Sequence, residues 1–294
     1  MKPVYTADEL AELPAGARLG VVGNPIAHSL SPPMQQAALD AAGICCTYVR
    51  LFCERGEGDF AALVQGLRRA GFVGANVTVP FKKEARALAD GADALSRLCG
   101  ASNTLVFGED GVYAYNTDGP GFARAVQELC GRPLGELRVA LLGACGGAGS
   151  ALAAQCVLEG CPTLALVNRP RPELEGLAAH LRPHAHGTQV HTHTFAEEGL
   201  AAVIGAADLV VNATSIGLAV GDATPIPGEW LHPGQIVYDI VTHDTALVSA
   251  ALGRGCTAST GRSMLLWQGA LAFEHWFGRL PDIAAMSRAL YGEG

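Results

Sequence analysis

Short apolar runs that predict strands alternate with helical patterns along almost the whole chain. The first run, residues 18–23, precedes a helical pattern that extends to residue 42, with Ser31 as the expected cap and proline in its first turn. The pattern restarts at residues 137–142, where a strand is followed by a helix over 147–159. Such alternation is typical of parallel sheets with helices on their faces. The sequence therefore predicts an α/β fold.

The other predicted elements fill the intervals of this pattern. Further strands are predicted over 45–52, 73–78, 104–107, 163–167, 189–194, 208–211 and 235–240. Further helices are predicted over 59–70, 82–88, 93–98, 118–130, 173–181, 262–277 and 282–290. Residues 217–234 are predicted to be a Gly/Pro-rich loop. Because no strand follows the last two helices, we expect them to return and cover another part of the fold.

Composition excludes several classes of protein. Twenty basic against 28 acidic residues give a net charge of -8, the wrong sign for a nucleic-acid partner. Nine cysteines without a CxxC spacing indicate reduced thiols in a cytoplasmic protein. The longest uncharged run, residues 139–158, carries four glycines within seven residues, so a strand–turn–helix explains it better than a membrane span. We expect no membrane association, and any anionic ligand must be bound by a local group of charges.

A glycine-rich turn at the restart of the pattern predicts a dinucleotide site. Gly143, Gly146 and Gly149 stand between a predicted strand and a predicted helix, where backbone N–H groups can approach a pyrophosphate. The G-x-x-G-x-x-G spacing also fits a turn that merely packs a helix closely on a sheet. After the next strand come Asn168 and Arg169, and an arginine at that place suits the 2′-phosphate of NADP. Arg169 and Arg171 together supply local positive charge in an otherwise acidic protein, and ordinary surface arginines are the alternative.

Polar side chains follow several of the predicted strands, at the ends where open α/β folds build their sites. The hydroxyls of Ser29 and Ser31 can both donate to one carboxylate at the start of a helix, although Ser31 can also serve only as its cap. Thr78 and Lys82 follow another strand. Lysine is scarce, with three residues against 17 arginines, and unlike arginine it can give up a proton. For the adjacent Lys83, the alternative is a lysine that is simply solvated.

Six segments identify a family resemblance. In order along the chain they read GNPIAHSLSP, NVTVPFK, GASNT, YNTDG, NATSIG and GRSMLLWQGALAF. They resemble the motifs of the shikimate dehydrogenase family, in that family's order and at its spacings, over nearly the whole chain. The resemblance implies the NADP-dependent interconversion of 3-dehydroshikimate and shikimate, in the biosynthesis of chorismate and aromatic amino acids.

The resemblance also implies roles for individual residues. Lys82 and Asp118 would form the catalytic pair that exchanges a proton as hydride moves, which agrees with the negative charge that builds on a reduced carbonyl oxygen. The substrate would be bound by Ser29, Ser31, Thr78, Asn103, Asp118, Thr242 and Gln268. The cofactor NADP would be bound by Gly143, Gly146, Gly147, Asn168, Arg169, Ala213, Thr214, Ser215 and Gly261.

Three departures separate the chain from the family pattern. Cys145 lies within the glycine-rich turn, and Gln35 and Gln36 replace a common His-Asn pair. Thr242 stands where the family has a tyrosine that contacts substrate. The alternatives are therefore a quinate/shikimate dehydrogenase or a paralogue acting on a related cyclohexane carboxylate, and, from another class, a ligand sensor without activity. Retention of both Lys82 and Asp118 argues against the sensor.

The predicted organisation is two α/β domains. Residues 1–117 with 262–294 would form a substrate-binding domain with a mainly parallel sheet, and residues 118–261 a Rossmann-like NADP-binding domain. A loose cluster of histidines is expected to bind no metal, since hydride transfer to nicotinamide needs none; it comprises His180, His184, His186, His191 and His193. We expect a monomer or a homodimer with a small-molecule substrate.

Overall fold

The computed structural model describes residues 4–292, which form two compact units. Asp118–Leu265 make up the second unit, and the described residues before and after that segment make up the first. The α/β class predicted from the alternating pattern is confirmed, since each unit contains one six-stranded sheet with helices.

The elements follow one another along the chain as strands and helices in alternation. The strands are β1 (Ala17–Gly23), β2 (Thr47–Phe52), β3 (Gly74–Val77), β4 (Gly91–Ala92), β5 (Thr104–Phe107), β6 (Val112–Tyr115), β7 (Val139–Leu142), β8 (Thr163–Asn168), β9 (Gln189–Thr194), β10 (Leu209–Asn212), β11 (Ile236–Asp239) and β12 (Thr257–Ser259). The helices are α1 (Ser31–Ala41), α2 (Asp59–Arg69), α3 (Lys82–Leu88), α4 (Ala94–Cys99), α5 (Asp118–Cys130), α6 (Gly147–Leu158), α7 (Pro172–Leu181), α8 (Leu200–Ala206), α9 (Ala246–Gly253), α10 (Arg262–Phe277) and α11 (Ile283–Tyr291).

The sheet of the first unit has the order β2-β1-β3-β5-β6-β4. Strands β2, β1 and β3 are parallel, as are β4 and β6, whereas β5 runs antiparallel to both of its neighbours. The reversal follows from the short connection between β5 and β6, because two-stranded hairpins need only a tight turn while parallel strands need a crossover. The sheet is therefore mixed, and three of its five strand pairings are parallel, in agreement with the predicted mainly parallel sheet.

The last two helices pack within the first unit. Phe273 and Met286 are fully buried in the same core cluster as Leu19 and Leu39, and α11 packs on α1. The indole of Trp276 donates a hydrogen bond to the carbonyl oxygen of Leu105 at 3.0 Å. Helices α10 and α11 thus complete the core of the first sheet, although the whole second unit lies between them and that sheet in the chain. Hydrophobic burial readily offsets the entropic cost of closing so long a loop.

The sheet of the second unit is fully parallel, with the order β12-β11-β10-β7-β8-β9. Its central strands read as continuous apolar runs because helices cover both faces of such sheets. The strand order reverses between β7 and β10, and open α/β sheets bind ligands beside such a reversal. This is the Rossmann-like arrangement that the sequence predicts.

The structure corrects the sequence-based elements in a few places. Leu30 rather than Ser31 is the cap residue of α1, and Ser31 is the first helical residue. Strands β4, β6 and β12 and helices α8 and α9 were not predicted. Within residues 4–292, no helix combines the length and apolar character that crossing a membrane requires.

Candidate active site

Ser29 and Ser31 lie where the segment after β1 enters α1. The backbone N–H of Ser31 donates to the hydroxyl oxygen of Ser29 at 3.3 Å. The guanidinium of Arg50 donates to the backbone oxygen of Ser29 at 2.8 Å, which fixes this turn from the neighbouring strand β2. The Ser29 hydroxyl therefore lies at the N-terminus of α1, whose first residue is Ser31, and a helix N-terminus suits a carboxylate.

The segment after β3 lies against this turn. A Cβ added to Gly23 would lie 2.5 Å from the methyl carbon of Thr78, and Asn24 N donates to Val79 O at 3.0 Å. Only a glycine allows the two segments to approach so closely. The half-buried Thr78 is thus brought beside the turn that carries Ser29 and Ser31.

Lys82 is the first residue of α3 and is half-buried, whereas the adjacent Lys83 is exposed. The backbone oxygen of Lys82 accepts a hydrogen bond from Ser102 N at 2.8 Å. This bond ties the start of α3 to the turn before β5, next to Asn103. The two neighbouring lysines therefore have different surroundings, which makes Lys83 a matched control for Lys82.

Asn103 is buried at the centre of a side-chain network. Its amide nitrogen donates to the hydroxyl of Thr117 at 3.0 Å and to the amide oxygen of Gln268 at 3.3 Å. Its amide oxygen accepts from the Thr117 backbone N–H at 2.8 Å and from the Thr104 hydroxyl at 3.3 Å. The structure thus brings Asn103 and Gln268, two predicted substrate residues, into direct contact.

Asn76 supports Asn103 from the sheet interior. Its amide nitrogen donates to the backbone oxygen of Asn103 at 3.2 Å and to the Thr104 hydroxyl at 3.1 Å, and its amide oxygen accepts from the Tyr48 hydroxyl at 2.7 Å. Burial of Tyr48 raises its pKa well above the usual tyrosine value, so this hydroxyl stays a donor. Asn76 joins β2, β3 and β5 and holds the chain where Asn103 begins its network.

Gln35, which replaces the common histidine, contacts α10 from α1. It is fully buried and donates from its amide nitrogen to Gly269 O at 2.8 Å. A Cβ on Gly269 would run into the end of the Met34 side chain. Helices α1 and α10 therefore meet at Gly269, one residue beyond Gln268.

The second unit contains a pocket with a volume of about 700 Å³ at the reversal of strand order. It is lined by seven of the nine predicted cofactor residues: Gly143, Gly146, Asn168, Arg169, Ala213, Thr214 and Ser215. Gly147 and Gly261 lie outside that lining. Arg171, which the sequence offers beside Arg169 as a positive charge for an anionic ligand, also lines the pocket. The remaining lining residues were not singled out from the sequence for cofactor binding: Phe195, Ile216, Leu218, Pro225, Ile226, Pro227 and Trp230.

The glycine turn of this pocket requires glycine at two places. Gly143 has a φ of 83°, and a Cβ there would lie 2.7 Å from the backbone of Ala213 and Thr214. A Cβ on Gly149 would run into the backbone oxygen of Gly143. The helix α6 begins immediately after this turn, with Gly146 as its cap residue. Backbone and helix N-terminus thus form a concave surface that fits the pyrophosphate of a dinucleotide.

Positive charge also lines this pocket. Arg169 and Arg171 are exposed, and neither forms an ion pair with any carboxylate among residues 4–292. Asn168 is buried and accepts a hydrogen bond from Arg169 N at 2.9 Å. This bond turns the backbone at the end of β8, where Arg169 joins the pocket lining. A phosphate group at this rim would meet an unpaired guanidinium.

Thr242 follows β11 in a short segment held by two neighbours. Its backbone oxygen accepts from the Arg262 side chain at 2.9 Å, and Gly261 N donates to Val241 O at 2.8 Å. A Cβ on Gly261 would run into the carbonyl of Ile240. The predicted role of Gly261 in cofactor binding has a structural alternative here, because the close approach alone requires glycine.

Asp118 is the first residue of α5 and is buried, in a position where the helix dipole favours a carboxylate. The five histidines of the predicted cluster lie on or near α7 and the edge strand β9. In the described part of the chain, no three His, Cys, Asp or Glu side chains converge to hold a metal ion.

Comparisons with known proteins agree with this arrangement. A family model of the shikimate dehydrogenase substrate-binding domain matches residues 21–105, and one of the shikimate 5′-dehydrogenase C-terminal domain matches residues 261–291. The shikimate dehydrogenase (NADP(+)) of Rubrobacter xylanophilus is 43% identical over 280 residues, which cover 94% of this chain and 96% of that relative.

Two solved structures resemble this chain over nearly its whole length. The shikimate 5-dehydrogenase of Thermus thermophilus, in complex with NADP(H) and shikimate, has a TM-score of 0.81 and is 33% identical, covering 93% of this chain and 98% of that one. The quinate dehydrogenase of Corynebacterium glutamicum, in complex with NAD, has a TM-score of 0.85 and is 29% identical, covering 95% and 98% of the two chains.

Proposed function

The chain belongs to the shikimate dehydrogenase family, and from that premise we propose that it catalyses the reversible NADP-dependent reduction of 3-dehydroshikimate to shikimate. The observation that carries the proposal is the contact between Asn103 and Gln268 in the first unit, next to the turn that is bonded to the start of α3, where Lys82 lies. The start of α3 is hydrogen-bonded to Ser102, and Asn103 is hydrogen-bonded to Gln268. A lysine and two amides suit a hydroxylated ring whose carbonyl is reduced.

The substrate would be oriented from two sides by residues of the first unit. Ser29 and Ser31 would donate hydrogen bonds to its carboxylate at the start of α1, with Thr78 beside them. Asn103 and Gln268 would bind the ring hydroxyls with amides that can both donate and accept. The close approach of Gly23 to Thr78 and the bond between Asn103 and Gln268 support this division of roles.

Lys82 would exchange the proton at the reacting oxygen. NADPH supplies the hydride when bound. As the C=O bond of the substrate is reduced, its oxygen gains negative charge and must receive a proton. The ammonium of Lys82 would stabilise that charge and protonate the oxygen, and it would take the proton back in the reverse direction. We propose Asp118, the buried carboxylate at the start of α5, as the second catalytic residue, in the role that the family resemblance implies.

The cofactor is NADP, and the pocket of the second unit fits it. The cradle that Cβ atoms at Gly143 or Gly149 would fill suits a pyrophosphate, and the unpaired Arg169 suits a 2′-phosphate. We propose that Thr214 and Ser215 line the cofactor from the end of β10. Quinate with NAD remains the second candidate only because Thr242 replaces the family tyrosine.

One experiment tests the proposal directly. Purified protein is incubated with shikimate or quinate and with NADP⁺ or NAD⁺, and nicotinamide reduction is followed by absorbance. We expect the fastest reduction with shikimate and NADP⁺, and its loss in Lys82→Ala. No NADPH formation from shikimate would overturn the proposal, and faster turnover of quinate with NAD⁺ would establish the second candidate instead.

We further propose that the protein works in the cytoplasm. All nine cysteines lie within the described residues and none forms a disulfide, although Cys45 and Cys46 are adjacent in sequence. This usage is typical of a reducing compartment. A monomer or a homodimer stays a prediction, and sedimentation of the purified protein would decide it.

A further inference from the structure

Asp239, the last residue of β11, is a fully buried carboxylate to which no step of the proposed reaction assigns a role. It receives hydrogen bonds from three residues. Val241 N donates to one oxygen at 3.0 Å, the Thr245 hydroxyl donates to the other at 2.8 Å, and the amide nitrogen of Asn212 lies 3.1 Å from both. Since every partner is a donor, an ionised carboxylate, which only accepts, satisfies all of them.

One partner of Asp239, Asn212, connects it to the cofactor pocket. Asn212 ends β10 and is paired with Asp239 in the parallel register of the two strands. Its amide oxygen accepts from the backbone N–H and the hydroxyl of Thr214, at 3.0 and 2.7 Å, and its amide nitrogen also donates to Ile216 O at 3.0 Å. Thr214 and Ile216 line the pocket. The orientation of the Asn212 amide, set by Asp239, therefore fixes this wall of the pocket.

The other partners of Asp239 belong to the segment that carries Thr242. Val241 and Thr245 flank Thr242, and both donate to Asp239. Thr245 also caps α9 by accepting from Val248 N at 3.3 Å. A Cβ on Gly217, in the segment after Ile216, would lie 3.2 Å from the Thr245 methyl carbon. The segments after β10 and after β11 thus contact each other directly and share one buried carboxylate.

We propose that Asp239 is a positioning residue that couples the cofactor wall, Thr214 to Ile216, to the substrate segment around Thr242. The inference rests on the proposed function, since it assumes that NADP binds at that wall and that the Thr242 segment meets the substrate. A change at Asp239, or at a side chain that donates to it, alters the binding of cofactor and substrate together, whereas a change in either segment that leaves the bonds to Asp239 intact alters only one of them.

The test compares two carboxylate-to-amide variants. Asp239→Asn places an N–H group opposite donors, although the Thr245 hydroxyl can turn to accept one bond, so we expect both KM(NADP⁺) and KM(shikimate) to rise roughly three- to tenfold, the worth of an ordinary hydrogen bond. The matched control is Asp222→Asn. Asp222 accepts from Gly217 N at 2.9 Å and Ala219 N at 3.1 Å, beside the cofactor wall. We expect this control to leave KM(shikimate) unchanged.

A second pair of variants separates coupling from general support of the fold. Thr245→Val removes the hydroxyl but keeps the branched shape, and Thr245→Ser keeps the hydroxyl. We expect Thr245→Val to raise both KM values and Thr245→Ser to restore them. If the hydroxyl acts through Asp239, the double variant Asp239→Asn/Thr245→Val is no worse than the more affected single variant, because the two changes break one link.

The outcomes are distinct. A residue that only supports the fold would lower Tm and kcat through loss of active protein while leaving both KM values unchanged, and that result overturns the inference. So does a rise in only one of the two KM values. If wild-type protein forms no NADPH from shikimate, the proposed function itself fails, and direct titration of Asp239→Asn with NADP⁺ then still reports whether the cofactor wall depends on this carboxylate.

Discussion

Asn103 donates a hydrogen bond to Gln268 at 3.3 Å, although 165 residues separate the two positions in the chain. The second donor bond of its amide nitrogen goes to Thr117. Both amides are therefore oriented before any ligand arrives, and such preorganisation lowers the cost of binding. A ring hydroxyl that both donates and accepts can join this pair without leaving a buried polar group unsatisfied.

Replacing Lys82 by alanine should lower kcat by about 10²- to 10⁴-fold, the usual contribution of a general acid or base. The KM for shikimate should change much less, because the serines and amides that would bind the substrate remain. Steady-state kinetics in both reaction directions measure the effect. The exposed neighbour provides the control, since Lys83→Ala should be nearly silent. Near-normal turnover of Lys82→Ala would remove this residue from the mechanism.

Arg169→Ala should weaken NADP⁺ binding by roughly 10- to 150-fold, because a charge-assisted hydrogen bond to the 2′-phosphate is lost. Binding of NAD⁺, which lacks that phosphate, should hardly change. Calorimetric titration of both nucleotides measures the difference. Arg288→Ala, an exposed arginine on α11, controls for the loss of one positive charge. Equal use of NAD⁺ and NADP⁺ by the wild type would contradict the role given to Arg169.

Thr242 should make shikimate binding about tenfold weaker than in relatives that have tyrosine there, since a tyrosine hydroxyl on a carboxylate contributes roughly 0.5–3 kcal/mol. Turnover should stay largely intact because Lys82 and Asp118 are retained. The check is the KM for shikimate and quinate in the wild type and in Thr242→Tyr. Restored shikimate affinity supports the missing contact. If the substitution changes nothing, another residue performs the tyrosine's task.

Gly149→Ala should weaken NADP⁺ binding and lower Tm, because the new Cβ would press on the Gly143 carbonyl and on the Ala144 backbone at 3.0 Å. Helix α6 must then move away from the glycine turn. Thermal unfolding with and without NADP⁺ measures both effects. Gly176→Ala is the control: its Cβ would meet nothing within 4 Å in α7, so it should stabilise the fold by about 0.5–1 kcal/mol. A Gly149→Ala protein that behaves like the control would exclude the packing argument.

The sequence was informative where hydrophobic periodicity or a glycine-rich turn was strong. Helix α5 and strand β9 begin and end at the predicted residues. Strand β4 has two residues and β6 has four, which is too short for alternation to stand out. Helix α9 is almost entirely small or apolar, so no polar face marks its helical period.

In the candidate site, too, the sequence identifies local motifs but not the contacts that depend on the fold. Ser29, Asn103 and Arg169 stand in short motifs whose chemistry is visible in the sequence. The partnership of Asp239 with Asn212 depends on the register in which β10 and β11 pair, and sequence does not specify that register without the fold. The observed cap of α1 is Leu30 instead of the predicted Ser31 for a related reason, because neighbouring elements determine where a helix begins.

The return of α10 and α11 to the first unit has a consequence for the order of folding during synthesis. Domains generally fold as units while the chain is being made. The second unit is continuous, so all of its residues are available before Phe273, Trp276 and Met286 exist. The first sheet and α1 are translated earlier, but their core residues Leu19 and Leu39 stay exposed to solvent until the last two helices have been synthesised. The half of the protein that is made first is therefore the half that is finished last.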